Sequence, residues 1–174
     1  MMDDIGIDLA NDLDGSFSAV VETMGTRIYW GLRRMSNGHQ EAEDLTQETF
    51  IKAYSALSEY DRSRIRELRV EPWLWTIALN LGRNSIRDRS RRPTLVELED
   101  SAVADPEMVD DAAWDRRLGV LNSHQRTAVV LRHIVGLGTG DIAEATGRPE
   151  GTVKADIHRG LTRLRQTMEN EHEH

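Results

Sequence analysis

Carboxylates spaced for one helix face are the first candidates for chemistry in this sequence. Glu41, Asp44 and Glu48 follow one another at three- and four-residue steps, which places them on one face of a helix. Paired carboxylates serve acid–base catalysis or bind cations. Only His39 lies near them, and the sequence has neither a glycine-rich phosphate loop nor a nucleophile elbow. A face that docks on a basic protein partner is therefore favoured over a solvated face, and a carboxylate-dependent hydrolase has least support.

Thiol and metal chemistry have even less support. The chain has no cysteine, which excludes a disulfide framework, a thiolate metal site and a cysteine nucleophile. Of the six histidines, only His172 and His174 are closely spaced, and two histidines on a mobile end make a poor metal site. We therefore expect no metal, no cofactor and no catalytic residues, so that the protein is not an enzyme. No apolar run approaches the ~20 residues of a membrane helix, and no signal-like segment opens the chain, which predicts a cytoplasmic protein without membrane insertion.

The formal net charge of −8 is unevenly distributed along the chain. Residues 61–92 and 116–165 each carry +5, whereas residues 1–60 carry −7, residues 93–115 carry −8 and residues 166–174 carry −3. Net acidity alone argues against nucleic acid as a partner, but a local basic stretch is an electrostatic footprint for a polyanion. The 23 residues between the basic stretches hold eight acids and no base, which indicates an acidic connection between two units.

The first basic stretch ends in an arginine run, with five arginines within residues 83–92. The run continues a helix that carries Trp73 and Trp75. Trp73 falls on the apolar side with Leu74 and is expected in the core, whereas the burial of Trp75 is left open. Phosphate contacts supply affinity, and unstacked bases lie against aromatic rings at ~1–3 kcal/mol per base. A solvated helix end that complements the helix dipole is the alternative, but five arginines exceed that need and favour a polyanion.

The second basic stretch has the pattern of a helix-turn-helix. A short helix over Thr139–Thr146 precedes a turn at Gly147, and Pro149 opens a final helix whose apolar stripe begins at Val153. The second helix of such a motif enters the major groove and presents its N-terminal residues to base edges. An ordinary helical hairpin with a solvated basic face is the alternative. The residues predicted to contact DNA are Thr152, Lys154, Ala155, Asp156, His158, Arg159 and Arg163.

Helices must position these groups, because apolar residues recur at three- and four-residue steps and no convincing alternating run occurs. Ser16 and Ser123 are expected to cap helices, Pro72 to open one, and residues 58–71 to form a loop. We predict an all-α fold of two small helical domains joined by a flexible acidic linker, with the helix-turn-helix in the C-terminal domain. The predicted boundaries are 1–92 for the first domain, 93–112 for the linker, 113–170 for the second domain and 171–174 for a tail within a disordered ENEHEH end. The buried stripe of the second helix is predicted to be Ala42, Leu45, Thr49, Ala53 and Leu57.

Together these blocks resemble a bacterial sigma factor of the extracytoplasmic-function group, the compact branch of the sigma-70 family. The resemblance covers about residues 16–92 and 113–168, in the order found in the family. Its blocks are 43–54 (EDLTQETFIKAY) for region 2.2, 72–80 (PWLWTIALN) with the arginine run for regions 2.3 and 2.4, and 121–126 (LNSHQR), 136–144 (GLGTGDIAE), 151–154 (GTVK) and 158–161 (HRGL) for region 4.

The resemblance implies an RNA polymerase sigma factor that directs core polymerase to promoters, recognises the −10 and −35 elements and opens the DNA. Docking on the β′ clamp helices is then assigned to Glu43, Asp44, Gln47, Glu48 and Phe50. Reading and opening of the −10 element is assigned to Trp75, Asn80, Arg83, Asn84, Arg87 and Arg91. The helix-turn-helix is expected to read the −35 element and contact the β flap, and the linker to lie near the path of nascent RNA. An anti-sigma factor is expected as a further partner.

Four positions depart from the usual family pattern. Many members carry a basic residue where this chain has Asp156, and alanine where it has Gly160. An acid on the exposed face of the recognition helix is expected to repel phosphate or to accept a hydrogen bond from cytosine N4. Glycine inside that helix costs about 1 kcal/mol relative to alanine. Gly138 and Thr139 also replace a pair that is commonly serine and an aromatic residue.

An autonomous helix-turn-helix regulator, with an N-terminal domain that senses a ligand or partner, is the alternative function. Binding to duplex DNA separates the two hypotheses. The net charge of −8 and the acidic linker predict weak binding to duplex promoter DNA without polymerase, whereas an autonomous regulator requires tight, sequence-specific binding by the isolated chain.

Overall fold

The computed structural model describes residues 5–91 and 106–172, all of whose regular elements are helical. The elements are α1 (Ile5–Asn11), α2 (Leu13–Arg33), α3 (His39–Glu59), α4 (Arg62–Glu67), α5 (Val70–Arg91), α6 (Pro106–Gly119), α7 (Ser123–Val129), a π-helical segment (Val130–Val135), α8 (Thr139–Thr146) and α9 (Glu150–His172). The predicted all-α class, with two helical domains, is confirmed.

Three helices begin at side-chain caps that sequence inspection misplaced or missed. Asp12 accepts a hydrogen bond from the Gly15 amide at 3.0 Å, so α2 begins before Ser16. Asn122, rather than Ser123, caps α7 by accepting from the Gln125 amide at 2.9 Å. Asp61 accepts from the Arg64 amide at 2.8 Å and starts α4 inside the predicted loop. Each cap satisfies an amide that has no partner within its own helix.

The N-terminal domain is built around α2, α3 and α5. All five residues of the predicted α3 stripe, Ala42, Leu45, Thr49, Ala53 and Leu57, are buried. They face the buried positions of the neighbouring helices, which include Val20, Met24, Ile28 and Leu32 of α2 and Leu74 and Ala78 of α5. Helix α5 begins at Val70, so Pro72 lies in its first turn rather than at its first position. The three-residue and four-residue spacing therefore identified the packing faces correctly.

The C-terminal domain contains the predicted helix-turn-helix. Helix α7 continues into the π-helical segment, which ends at Gly136 with φ 89°. Helix α8 spans the predicted residues and ends at Gly147 with φ 66°, a left-handed conformation that glycine adopts without steric cost. Helix α9 follows and packs on α8, with Val153 of α9 and Ile142 and Ala145 of α8 all buried.

Some apolar residues beside the buried stripes are exposed, because the apolar stripe in the sequence is wider than the contact that each helix makes. They are Val21, Ile86, Ile134 and Met168.

The described helices extend into the predicted linker and into the predicted C-terminal end. Residues 92–105, which include most of the predicted linker, lie outside the described residues. Helix α6 begins at Pro106, so residues 106–112 are helical rather than linker. Helix α9 continues to His172, so the prediction of disorder over the ENEHEH end is wrong as far as that residue.

The two domains pack against each other and share one hydrophobic core. Helix α8 lies on α5, and the π-helical segment lies on α2. The closest approach is at Gly31 of α2, where a Cβ atom would lie 2.4 Å from Trp75 Cη2 and 2.8 Å from Val135 Cγ2. Only a residue without a side chain leaves room for the tryptophan and valine at this point.

Candidate nucleic-acid and partner-binding surfaces

The first half of α3 presents an exposed acidic face. Glu43, Asp44, Gln47 and Glu48 are all exposed, on the opposite side of the helix from the buried stripe. Asp44 accepts a hydrogen bond from the Gln40 amide nitrogen at 3.1 Å, and Glu48 lies 3.6 Å from the ammonium of Lys52. These contacts are local to the helix, so the carboxylates remain available to a partner. The structure thus brings four of the five predicted polymerase-contacting residues onto one surface.

Phe50 does not belong to this surface. It is buried, and its ring packs edge-on against Phe17 at a centroid distance of 6.3 Å. The next residue, Ile51, is 68% exposed and lies one helical turn beyond Gln47 and Glu48. Sequence reasoning missed Ile51, although its position off the stripe of Thr49 and Ala53 is a signal that it faces outward.

Glu41 has a structural role that separates it from the exposed acids. Its carboxylate accepts one hydrogen bond from the Asn37 amide at 2.8 Å and one from the Ser85 hydroxyl at 2.6 Å. The second bond ties α3 to α5. A carboxylate that is held in this way fixes the angle between two helices, which supports a positioning role rather than acid–base chemistry.

Trp75, whose burial was left open, is the fully buried tryptophan of α5, while Trp73 is not fully buried as expected. Trp75 is 1% exposed and lies against Gly31, so it offers no ring face to a base in this conformation. Trp73 is only partly buried and packs on Tyr60 at a centroid distance of 6.2 Å. The reason is that α5 is covered on two sides, by the N-terminal domain and by α8, while the sequence argument assumed a single buried stripe.

The second half of α5 is polar and basic. Asn80, Arg83, Asn84 and Arg87 are exposed, while the Arg91 side chain lies outside the described residues. Arg83 donates to the Asn80 side-chain oxygen at 2.8 Å and to the Leu79 carbonyl at 3.3 Å, which holds its guanidinium against the helix. The structure therefore brings these four exposed residues together on the second half of one helix.

Helix α9 presents the second basic surface. Lys154, His158, Arg159 and Arg163 are exposed, whereas Thr152 and Ala155 are partly buried. The Lys154 ammonium lies 2.8 Å from the carboxylate of Glu150, one turn earlier. In a helix-turn-helix these positions lie where the second helix meets base edges and phosphates.

Asp156 is not on the exposed face. It is 4% exposed, and it accepts hydrogen bonds from Arg148 in the turn and from Arg159, the latter at 3.0 Å. Burial raises the pKa of Asp156, but the hydrogen bonds from Arg159 and Arg148 outweigh burial, so that its pKa is lowered overall. The expectation that this acid repels phosphate or reads cytosine is therefore corrected: it joins the turn to the recognition helix.

Gly160 is explained by the same packing. A Cβ atom at this position would lie 2.7 Å from the Val129 Cγ2 methyl of α7. Glycine has a low helix propensity, but its lack of a side chain permits α9 and α7 to approach closely.

Neither a metal centre nor a membrane span is found in the part of the chain that the structure describes. Within residues 5–91 and 106–172, no group of three or more histidine, aspartate or glutamate side chains is placed to hold a metal ion. No described helix is both long enough and apolar enough to cross a bilayer.

Comparisons with known proteins agree with this arrangement. Residues 20–92 match Sigma-70 region 2, and residues 111–164 match Sigma-70 region 4. The chain is 31% identical over 170 residues to the ECF RNA polymerase sigma factor SigW of Bacillus subtilis, covering 88% of this chain and 89% of that one. It is 34% identical over 163 residues to the ECF RNA polymerase sigma factor SigE of Mycolicibacterium smegmatis, covering 88% of this chain and 62% of SigE.

Two solved structures have a similar fold. CnrH, in complex with the cytosolic domain of CnrY, superposes with a TM-score of 0.77 at 21% identity over 97% of both chains. The sigma factor RpoE of Bartonella quintana, in complex with the anti-sigma factor NepR, gives a TM-score of 0.70 at 23% identity, covering 88% of this chain and 96% of RpoE. The region 2 match over the N-terminal half also disfavours an autonomous regulator with a sensing domain. The chain belongs to the extracytoplasmic-function group of the sigma-70 family, the RNA polymerase sigma factors that direct core polymerase to promoters.

Proposed function

We propose that this sigma factor divides its work among three helices, with polymerase docking on α3, −10 recognition on α5 and −35 recognition on α9. The observation that carries the proposal is the segregation of exposed charge. Exposed carboxylates lie on α3, and exposed cations lie on the second half of α5 and along α9. Polymerase docking through acids and DNA contact through cations need opposite potentials, and separate helices supply both from one chain.

The docking surface consists of Glu43, Asp44, Gln47 and Glu48, with Ile51 in the place first assigned to Phe50. An exposed apolar side chain next to charged ones is the usual composition of a protein-binding patch, with an apolar centre and a polar rim. We propose that basic residues of the β′ clamp helices face the carboxylates while Ile51 packs against an apolar part of the same helices.

The −10 surface consists of Asn80, Arg83, Asn84 and Arg87, together with Arg91. The arginines supply phosphate contacts, and Asn80 offers hydrogen bonds to unpaired bases. Capture of unpaired bases by these groups offsets the cost of unpairing, which is roughly a few kcal/mol per extruded base. Trp75 is withdrawn from this surface because it is buried.

The −35 surface consists of the exposed residues of α9 on either side of the buried Asp156. Lys154, Arg159 and Arg163 supply the positive charge, His158 lies exposed among them, and Thr152 and Ala155 are partly buried beside them. We propose that these residues read duplex DNA while the same domain contacts the β flap of the polymerase.

Charge changes on α3 and α5 test this division of labour. We expect Asp44→Lys to lower the affinity for core polymerase by at least about tenfold, since a rim charge is inverted. Glu22→Lys, an equal change at an exposed position of α2, is the matched control. We expect Arg87→Ala with Arg91→Ala to leave polymerase affinity unchanged and to lower promoter opening, with Arg116→Ala on α6 as control.

Fluorescence anisotropy measures the affinity, and run-off transcription with permanganate footprinting measures opening. Unchanged polymerase affinity in Asp44→Lys would reject the docking role of α3. A parallel loss of polymerase affinity in the arginine variant would reject the assignment of these arginines to DNA.

We propose that bond chemistry stays with the polymerase and that this chain works in the cytoplasm, where polymerase and promoters are found. Sigma factors are DNA-recognition subunits. In this chain Glu41, the most promising carboxylate for catalysis by its spacing, holds α3 to α5. Replacement of Glu41 by glutamine is therefore expected to lower stability rather than to remove a catalytic turnover.

We also propose an anti-sigma partner for this chain. The supporting observations are the partners present in the CnrH and RpoE structures and an apolar groove of about 280 Å³ between the two domains. The apolar side chains that line the groove are Leu32, Met35, Leu45, Leu79, Ile86 and Leu121. A protein recovered with this chain from its host must inhibit run-off transcription, and Ile86→Asp must weaken that inhibition. A recovered protein that does not inhibit transcription contradicts the proposal.

A further inference from the structure

The recognition helix α9 begins with an exposed acid. Glu150 is the first residue of α9, and Lys154 and His158 follow it at four-residue steps, so that the three side chains lie along one exposed line of the helix. In a helix-turn-helix, the N-terminal residues of the second helix meet base edges in the major groove. The other acid within residues 150–165 of this helix, Asp156, is buried, so Glu150 is the carboxylate that faces outward there.

Two neighbours hold the Glu150 carboxylate, and both of them bind the same oxygen atom. The Thr139 hydroxyl donates a hydrogen bond to Glu150 Oε1 at 2.7 Å, and the Lys154 ammonium lies 2.8 Å from Oε1. The second oxygen, Oε2, has no partner among the described residues. Because the Glu150 side chain is 48% exposed, a ligand can reach this oxygen. The carboxylate is therefore fixed through one oxygen and presents the other as a hydrogen-bond acceptor.

Thr139 is one of the positions at which this chain departs from the usual family pattern. It is the first residue of α8, so its hydrogen bond to Glu150 joins the starts of the two helices of the helix-turn-helix. This bond requires a short hydroxyl side chain, which an aromatic residue in its place does not supply. Hydrogen bonds from Lys154 and Thr139 lower the pKa of Glu150, so the group is ionised at neutral pH and can only accept hydrogen bonds.

Glu150 and Lys154 place an acceptor and a donor side by side. In the major groove, cytosine presents its N4 amino group as a donor, and the guanine that pairs with it presents O6 and N7 as acceptors. Glutamate accepts from cytosine N4, and lysine donates to guanine O6 or N7. Adenine N6 is also a donor, but the thymine opposite presents one acceptor and a methyl group, which suit an ammonium less well. The two side chains therefore match the two halves of one C·G pair.

The surface of α9 next to Glu150 is open. A Cβ atom at Gly151 would meet no atom within 4 Å, whereas at Gly160 it would lie 2.7 Å from a methyl group of α7. Packing within the protein therefore accounts for Gly160 but does not require glycine at position 151. A glycine also permits the backbone to approach a ligand closely. The first turn of α9 thus leaves room for DNA beside the carboxylate.

We propose that Glu150 is a specificity-determining residue of the −35 surface, whose Oε2 accepts a hydrogen bond from the N4 amino group of a cytosine in duplex DNA. Lys154 donates to the paired guanine, and Thr139 is a positioning residue. The inference rests on the proposed assignment of α9 to the −35 element. A guanine or thymine in place of the cytosine turns an acceptor toward the carboxylate and is rejected. Because an acid is also repelled by phosphates, Glu150 contributes selectivity rather than affinity.

Transcription from a library of −35 sequences tests the proposal with the complete holoenzyme. The full chain is combined with core polymerase, the −10 element is kept constant, and a barcode in each transcript identifies its −35 sequence. We expect the wild type to prefer C·G at one −35 position by about tenfold, and Glu150→Ala to remove that preference at this position alone. Glu150→Gln is expected to transfer the preference to A·T, because glutamine pairs with adenine N6 and N7.

Thr139→Val tests the positioning role, because it removes the hydroxyl and keeps the branched shape of the side chain. We expect it to reduce the preference for C·G at the same position by about threefold and to leave the preferred base pair unchanged. Glu169→Gln, which changes an exposed carboxylate further along α9, is the matched control and is expected to keep every wild-type preference. Circular dichroism verifies that each variant retains its helical content and Tm.

The outcomes separate this inference from the proposed function. A wild type that prefers certain −35 sequences, with Glu150 variants that lower transcription from all sequences alike, overturns the inference and leaves α9 assigned to the −35 element. A preference for a base pair other than C·G at the position that Glu150 controls has the same meaning. Transcription by the wild type that does not depend on the −35 sequence overturns the assignment of α9 and this inference together.

Discussion

Replacement of Asp156 tests whether this carboxylate stabilises the helix-turn-helix or recognises a DNA base. Asp156 is 4% exposed and accepts hydrogen bonds from Arg148 and Arg159. A hydrogen bond to a charged group contributes about 1.5–3 kcal/mol, and the contribution of Arg159 is discounted because its side chain is 58% exposed. We therefore expect Asp156→Ala to lower the free energy of unfolding by about 2 kcal/mol, which corresponds to a fall in Tm of about 4–8 °C in a chain of this length.

The pH dependence of the loss of stability gives an independent test of the role of Asp156. The pKa of Asp156 is lowered in the folded protein, because hydrogen bonds from both arginines outweigh the opposing effect of burial. A lowered pKa contributes stability above the unfolded value of about 3.9, and this contribution is lost as pH falls through the folded pKa. Thermal unfolding followed by circular dichroism at 222 nm should thus show a much lower Tm for Asp156→Asn than for the wild type at pH 7. This difference in Tm should become smaller below pH 4.

Two further results decide between the roles. Arg159→Ala, which removes the exposed partner, is expected to lower stability by less than about 1 kcal/mol. In a −35 library, Asp156→Asn is expected to weaken transcription from all sequences alike, because the helix-turn-helix is loosened as a whole. A changed preference at a single base pair, with Tm at the wild-type value, would refute the structural role and restore direct reading of cytosine.

Glycine substitutions test the close helix approaches. We expect Gly160→Ala to destabilise the C-terminal domain by about 1 kcal/mol or more, because its methyl would lie 2.7 Å from a methyl of α7. Gly151→Ala, which meets nothing within 4 Å, should stabilise α9 by about 0.5–1 kcal/mol, and equal effects of the two in urea unfolding would contradict the packing argument. We expect Gly31→Ala to lower Tm by several degrees, since a Cβ would lie 2.4 Å from a tryptophan ring. An unchanged Tm would show that the packing around Gly31 adjusts without cost.

Local pattern was sufficient for much of the fold. Two predictions were correct, namely the buried stripe of α3 and the short helix α8 followed by Gly147. Each depends only on neighbours within one or two helical turns. The helix α4 was missed because its six residues carry no clear period, and its start depends on the Asp61 cap. These errors concern short elements whose stability comes from caps rather than from an apolar stripe.

Residues that depend on distant partners were the ones misassigned. Asp156 is followed in sequence by exposed cations, and nothing local shows that Arg148 reaches back to it across the turn. Trp75 is off the apolar stripe that contains Leu74, yet it is buried because α5 is covered on two sides. Asp111 lies within the predicted acidic linker, yet its partners Arg34 and His39 belong to the N-terminal domain. Sequence spacing therefore locates the charged surfaces, while burial between domains requires the three-dimensional arrangement.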